Sequence, residues 1–342
     1  MPRVYILILN WNGWKDTVTC LESVLRLDYT NYQIIVCDNA SSDDSIANIR
    51  KWAAGSLQLD MSRTPLGCAL DSPIVKPVRL IEYDRAASEV IGRQPLEQNR
   101  LVLIHTGANL GFAGGNNVGI RFAMAKDNVD YIWILNNDTV VDPNALSELV
   151  GRASESYSIG IVGSTLCFFD APTTVQSYGG GTFNVSRAMT CHIGEGEKLC
   201  VLSENRVNWI EAQMAYVVGA SMLVSKRFIE CIGTMQEDYF LYFEEMDWAE
   251  RSRRNSIQFR LAFAPRSIVY HKVGASVGTR TKSLLSIRYL TVNRLRFIKR
   301  FYPGKLIFAR FSVLWEGIKS LLKGRISSAN ISIQAAFSPV KL

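Results

Sequence analysis

The sequence has no run of the eighteen or so uninterrupted apolar residues that a membrane-crossing helix needs. Its best stretch, Leu306 to Ile318, is broken by Arg310 and Glu316. Nor does it open on a cleavable leader: only Arg3 precedes the apolar run Val4 to Leu9, and no small-residue cleavage site follows. That run reads as a buried strand, and the expected location is cytoplasmic. The seven cysteines (Cys20, Cys37, Cys68, Cys167, Cys191, Cys200 and Cys231) are odd in number and scattered, which argues against a disulfide framework and suits reduced thiols. Cys191, His192 and Cys200 lack the fourth ligand and the paired spacing of a structural zinc site. Proline and glycine, at 10 and 24 of 342 residues beside 48% apolar content, are too few for a collagenous or disordered chain. No Gly-x-Gly-x-x-Gly follows the first strand, so a dinucleotide fingerprint is absent.

One further scarcity is local. Residues 282 to 342 hold twelve Lys or Arg and a single acid, Glu316, whereas the preceding 281 residues carry 26 basic and 30 acidic side chains. The overall charge of +7 is therefore a tail of +11 on a body of −4. A local charge block implies a local partner.

What is present over the first 165 residues is an alternation of apolar runs and amphipathic segments, the pattern of an α/β fold with a mostly parallel sheet. Strands are predicted at Val4 to Leu9, Gln33 to Asp38, Leu101 to His105, Tyr131 to Leu135 and Ile159 to Thr165. Helices are predicted at Lys15 to Leu25, Ser45 to Ala54, Asn116 to Ala125 and Asn144 to Ser156. Residues 55 to 100 break the rhythm and read as an insertion or surface excursion. From 166 to 216 the turn-rich SYGGGTFN suggests antiparallel strands and loops. A strand-like run at Tyr216 to Ser225, a helix around Glu244 to Arg254 and a strand near Gln258 to Ala264 follow.

A parallel sheet places its ligand beyond the carboxyl ends of its strands, which directs attention to residues 9 to 14, 38 to 44 and 136 to 142. In the first, Leu9, Asn10, Trp11 and Asn12 put an aromatic ring just past a buried strand, either stacked on a planar base or capping the core rim. In the second, Asp38 and Asn39 either offer polar groups to a pyrimidine edge or begin a helix cap. In the third, Asn136, Asn137 and Asp138 present one carboxylate between amides, suited to Mg2+ or Mn2+ or to capping a turn. Between them, Asn109 to Asn117, which includes Gly111 and Asn116, opens a helix with small residues, so that backbone could approach a phosphate or sugar closely. Farther on, Glu244, Glu245 and Asp247 lie among Phe240, Tyr242 and Phe243. Apolar neighbours raise a carboxyl pKa and make a general base, although an acidic first helical turn is also favoured by the helix dipole alone. His271 is either a metal ligand or a structural histidine.

Taken together and in order, ILNWNG, VCDNASSD, NLGFAGGNNVGI, ILNNDTVVDP, FLYFEEMDWAER and HKVGAS resemble a family 2 inverting glycosyltransferase of GT-A fold over roughly residues 2 to 300. The third and fourth segments are the most specific and point to the rhamnosyltransferase-like branch. The resemblance implies a dTDP- or UDP-sugar donor and a divalent metal ion. It sets Asn136, Asn137 and Asp138 at the DxD motif, with Asp138 as metal ligand and His271 as its downstream companion. The motif's first Asp is Asn136 here. It also puts Trp11 on the base, Asp38 and Asn39 at the pyrimidine imide, Glu245 at the catalytic base and Glu244 beside it. The family's usual base is Asp, so Glu245 has about 1.5 Å more reach. Trp209, Glu211 and residues 55 to 100 are candidate lining for the sugar.

The division expected is a GT-A catalytic domain over 1–281 and a basic amphipathic helical region over 282–342. On a helical wheel Leu284, Ile287, Leu290, Leu295, Phe297, Ile298 and Phe301 share one face, with Arg288, Arg296, Lys299 and Arg300 opposite and Arg294 inside the apolar arc. This helix either rests on an anionic membrane or packs on the catalytic domain with a solvated basic face. A glycan or lipid-linked acceptor, and membrane-surface association through 282–325 at the cytoplasmic leaflet, are the partners expected. Nucleic acid is not, because no nucleic-acid module accompanies the tail. A nucleotidyltransferase would show a basic glycine-rich loop after the first strand, and WNGWKD is not one.

Overall fold

The structure of the chain is a computed structural model that describes residues 1–62, 64–67, 74–90, 101–272 and 283–340. Its first half runs β1 (Val4–Asn10), α1 (Trp14–Val24), β2 (Tyr32–Asp38), α2 (Ser45–Ala54), β3 (Leu80–Asp84), α3 (Arg85–Val90), β4 (Leu101–His105), α4 (Gly111–Met124), β5 (Tyr131–Asn136), β6 (Thr139–Val141) and α5 (Ala145–Ser154). The middle adds β7 (Ile159–Phe168), β8 (Ala171–Tyr178), β9 (Gly180–Asn184), β10 (Met189–His192), α6 (Glu204–Gln213), β11 (Tyr216–Val217), β12 (Ser221–Ser225) and α7 (Lys226–Ile232). The remainder is α8 (Glu244–Arg253), β13 (Arg260–His271), α9 (Leu284–Phe301), α10 (Leu306–Leu322) and α11 (Ile326–Phe337).

The main sheet has the order β3-β4-β2-β1-β5-β12-β7-β13-β6, with β8 paired to β7, and a three-stranded sheet β10-β9-β11 stands beside it. From β3 to β5 every pairing is parallel. The antiparallel β12 then joins β5 to β7, and β13 returns parallel to β7. The alternation of β1 shows why these strands are apolar throughout: Val4, Ile6 and Ile8 join one buried cluster, while Tyr5 and Leu7 join the other. The first cluster takes in apolar residues of α1, α2 and α5, and the second those of α4 and α7. Among the described residues no helix is long and apolar enough to cross a membrane.

Three departures from the sequence reading matter for the site. The helix expected from Asn116 begins at Gly111, because a run of small residues packs closely on β1: a Cβ at Gly115 would lie 2.4 Å from Leu9. Residues 55 to 100, where described, supply the parallel edge strand β3 and the short helix α3, although residues 91–100 lie outside the described residues. The division at 281/282 falls in undescribed chain, but beyond it α9 is not a separate layer. Leu295, Phe297, Ile298 and Phe301 are buried in the same cluster as β1 and β2, and Phe297 meets Phe183 edge-on at 5.2 Å.

Candidate active site

The ends of β1 and β2 are tied together by their own polar side chains. Asn10 donates to Asp38 Oδ1 at 2.7 Å and to Ser41 Oγ at 3.1 Å, and accepts from Thr17 at 2.7 Å. Asp38 also accepts from the Ser41 hydroxyl and backbone N–H. Asn39 donates to Asn109 Oδ1 and the Gly111 carbonyl, and its Oδ1 accepts from the Leu110 N–H at 3.0 Å. Asn10, Asp38 and Asn39 are all buried. Groups expected to read a base are thus committed to holding the strand ends and the start of α4. Asn12, with φ of 51°, accepts from the N–H groups of Ser42 and Asp43. Trp11, 42% exposed, is the open ring of this rim.

The start of α4 is equally committed. The N–H groups of Leu110, Gly111 and Phe112 are held by Asn39, Asn109 and the Phe240 carbonyl, so these three do not face a phosphate. Gly111 has φ of 71°, and a Cβ there would stand 2.2 Å from the Phe240 carbonyl oxygen. Its glycine is required twice, by conformation and by contact. Asn116 donates to the Phe112 carbonyl within the helix.

At the β5 end the geometry changes character. Asn137 donates to Thr17 at 3.1 Å and to the Gly13 carbonyl at 3.4 Å, and the Asn136 carbonyl accepts from Thr139. Asp138 is 4% exposed, and its Oδ1 has no hydrogen-bond partner. That oxygen lies 3.3 Å from Nε2 of His271, whose Nδ1 is 3.0 Å from Gln176 Oε1. Since an amide oxygen only accepts, Nδ1 donates in this arrangement, and Nε2 is the ring nitrogen that faces the carboxylate. A buried carboxylate oxygen without a donor, beside an imidazole oriented by an amide, fits a divalent ion that completes its shell from water and a diphosphate. Sheet pairing sets the spacing: β13 places His271 opposite Thr139 of β6, and the Lys272 N–H donates to the Asp138 carbonyl at 2.9 Å. Among the described residues no group of three or more His, Cys, Asp or Glu is arranged to hold a metal.

Facing this is the segment that leads into α8. Phe240, Tyr242 and Phe243 have φ of 62°, 69° and 78°, left-handed values that cost non-glycine residues about 1–3 kcal/mol each. The segment is held from outside. Buried Asn293 of α9 donates to the carbonyls of Tyr239, Leu241 and Tyr242 at 2.7, 2.8 and 3.2 Å. Tyr289 stacks on Phe240 at 5.1 Å, and Arg296 donates to the Asp238 carbonyl. Neither the left-handed residues nor the Asn293 brace was legible beforehand, because carbonyl partners leave no sequence pattern.

This strained lead-in presents Glu244 and Glu245 on the first turn of α8. Glu244 is buried with Oε2 unpartnered, and burial, reinforced by the charge of Glu245, raises its pKa well above the usual carboxylate range. Burial pushes Glu245 up to about 7. Its side chain keeps some exposure, and a Cβ at Gly219 would lie 4.0 Å from its Oε1 and 3.4 Å from the Phe112 ring. The next residue, Ala220, accepts the Asn136 N–H at 3.0 Å, so one short turn links the β5 end to the carboxylate pair. Asp247 differs from expectation. It is fully buried and accepts from Tyr239 and Arg251, with Arg300 at 3.3 Å, which makes it a brace between α8 and α9. Glu211 is likewise structural, clasped by both oxygens to Arg152 and accepting the Phe263 N–H, while Trp209 lies exposed under Arg206.

The mostly parallel sheet flanked by helices is the GT-A glycosyltransferase fold. Solved structures agree on that fold. The mannosyltransferase PcManGT from Pyrobaculum calidifontis in complex with GDP-Man and Mn2+ superposes with TM-score 0.52 at 14% identity, over 99% of this chain and 76% of that one. GalNAc-T7 with UDP, GalNAc and Mn2+ gives 0.59 at 12%, over 96% and 55%. S. aureus TarS 1-349 in complex with UDP-GlcNAc gives 0.51 at 10%, over 98% and 81%. The profile of Glycosyl transferase family 2 matches residues 5–65 and 87–232, and the chain belongs to that family. The low-salt glycan biosynthesis hexosyltransferase Agl10 of Haloferax volcanii is 28% identical over 189 residues, 55% of this chain and 57% of that protein's length.

Proposed function

We propose that the chain transfers a hexose, with inversion, from a nucleoside-diphosphate sugar to a hydroxyl of a glycan or lipid-linked glycan in cell-surface polysaccharide synthesis. The observation that carries this reading is the Glu245 carboxyl, raised to about 7 beside the turn that meets the β5 end. A carboxyl so poised is ionised often enough near neutral pH to take a proton and basic enough to hold it. Its carboxylate accepts the proton of the acceptor hydroxyl. The acceptor oxygen then forms a bond to the anomeric carbon as the bond from that carbon to the diphosphate oxygen breaks, and the nucleoside diphosphate leaves. Glu244 keeps its own proton longer and holds the pair to one negative charge. Asp138 and His271 would hold a divalent ion, Mg2+ or Mn2+, which would supply positive charge to the departing diphosphate. The Mn2+ in the PcManGT and GalNAc-T7 structures supports that choice. Trp11 stacks on the base, with Leu9 beneath the pocket and Asn12 at its rim.

dTDP-L-rhamnose is the first donor to try, on the strength of NLGFAGGNNVGI and ILNNDTVVDP, and UDP-sugars are the second; the Agl10 likeness supports a hexose. The chain works at the cytoplasmic face of a membrane, to which residues 282–325 attach it. Release of nucleoside diphosphate from a panel of donors, with and without Mn2+, tests the reaction. Glu245→Gln is expected to reduce turnover by at least about a thousandfold while leaving nucleotide affinity near the parent's. Unchanged turnover removes Glu245 from the role of base.

A further inference from the structure

The basic residues of α9, expected either on lipid or on a solvated face, are largely spent within the protein. Arg294 grips Glu316 with both nitrogens at 2.9 and 2.6 Å, Arg296 holds the Asp238 carbonyl, Lys299 holds the Val340 carbonyl and Arg300 faces Asp247. What the C-terminal region leaves outside is a stripe on α10. Ile307, Phe308, Phe311, Trp315, Ile318 and Leu322 are all exposed, Phe311 at 63% and Leu322 at 81%. At 3.6 residues per turn they fall within an arc of about 100°, while Ala309, Val313 and Gly317 on the opposite side are buried. A contiguous apolar stripe of this kind on an otherwise satisfied surface marks a contact face.

The charge around it selects the contact. Lys305, Lys319 and Lys323 lie along one margin of the stripe and Arg325 just past its end, and among the described residues none of them forms an ion pair. Lys305 and Lys319 lie over the rings of Phe308 and Trp315, at 5.6 and 5.5 Å, with aliphatic stems along the apolar face and ammonium groups at its edge. Glu316, the sole acid from 283 to 340, lies outside the apolar arc and is paired with Arg294. The exposed face of α10 is thus apolar at its centre and cationic at its margin, with its one carboxylate neutralised by Arg294. A face so built matches the interface of an anionic bilayer, which offers acyl chains below a layer of negative headgroups.

We propose that α10 lies in the plane of an anionic membrane, with Phe311 and Trp315 at the centre of the buried stripe, and that α9 is the strut joining it to the active site. This rests on the reading that the chain works at a membrane surface, and it assigns the residues that do so. The test is flotation of the full chain with vesicles of phosphatidylcholine alone and of phosphatidylcholine with phosphatidylglycerol. Binding is expected to the anionic vesicles and to fall with salt, and the double variant Phe311→Asp, Trp315→Asp should lose roughly tenfold or more of it. Both positions are exposed, so its thermal unfolding should match the parent's. Trp315→Phe should still bind while losing most of the fluorescence quenching by brominated lipid. Equal flotation of parent and double variant would overturn the proposal, as would a parent that ignores both vesicles. A parent that dimerises through the stripe without binding lipid also overturns it. Donor turnover in detergent-free solution is read in parallel, so failure of the lipid arm leaves the proposed chemistry standing, and loss of turnover leaves the lipid result standing.

Discussion

The two walls of the candidate site are built on opposite terms. At the ends of β1 and β2, Asn10, Asp38 and Asn39 find their partners inside the protein. On the α8 side, three left-handed non-glycine residues precede two carboxyls whose burial favours the neutral form, and one oxygen of Glu244 is unpartnered. The first wall is a rigid frame that any bound nucleotide meets ready-made. The second stores strain and unfavourable burial, and is held from α9 by Asn293, Tyr289 and Arg296. In the proposed reaction, positioning falls to the wall that has its hydrogen bonds, and reactivity to the wall that does without some of them.

The contrast can be broken most severely at the boundary between the walls. Asp138→Ala removes the carboxylate of the proposed metal site, and calorimetry should find nucleotide affinity in Mn2+ reduced by roughly a hundredfold, with little change in its absence. Parent-like affinity in Mn2+ would contradict the metal assignment. A middling effect is expected from Asn293→Ala, which leaves the carbonyls of Tyr239, Leu241 and Tyr242 without this donor. Stability should fall by about 2 kcal/mol, and kcat by roughly tenfold with nucleotide affinity unchanged. If kcat kept pace with the parent while the protein merely melted earlier, the brace would be structural only.

The smallest effect concerns pH. The Glu245 carboxyl holds its proton up to about 7 when folded but releases it near 4.5 when unfolded. Between those values the folded state binds the extra proton, so this group withdraws stability as pH rises from 4.5 to 7. Glu245→Gln should therefore gain on the parent across that window, by at most about 3 kcal/mol, and level off above it. Over the same window kcat/KM of the parent should rise toward neutrality as the base ionises. A parent and variant whose melting temperatures differ by the same amount at every pH would show that Glu245 titrates normally.

Much of the rigid wall was legible in the sequence, because strands covered on both faces write themselves as apolar runs, and β1, β2, β4 and β5 fall where those runs were. Glu244, Glu245, Asp138 and His271 stood out because carboxylates and a histidine are rare among apolar neighbours. The strained wall was far less legible. Left-handed backbone at Phe240, Tyr242 and Phe243 contradicts local preference, so no propensity announces it, and Asn293 is one amide among many until its three carbonyls are seen. The cations of α9 misled for a related reason: a helical wheel shows which way Arg296 and Lys299 point, but not that carbonyls of distant residues wait there.

The antiparallel pairing of β6 with β13 has a consequence for how the site can change. His271 pairs with Thr139, the residue after Asp138, and the Lys272 N–H donates to the Asp138 carbonyl, so the backbones at 138 and 271 are held about one interstrand step apart, roughly 5 Å. For the proposed ion, a change of preference is expected to follow from the length and chemistry of the side chains at 138 and 271, with the sheet as the ruler against which each replacement is measured.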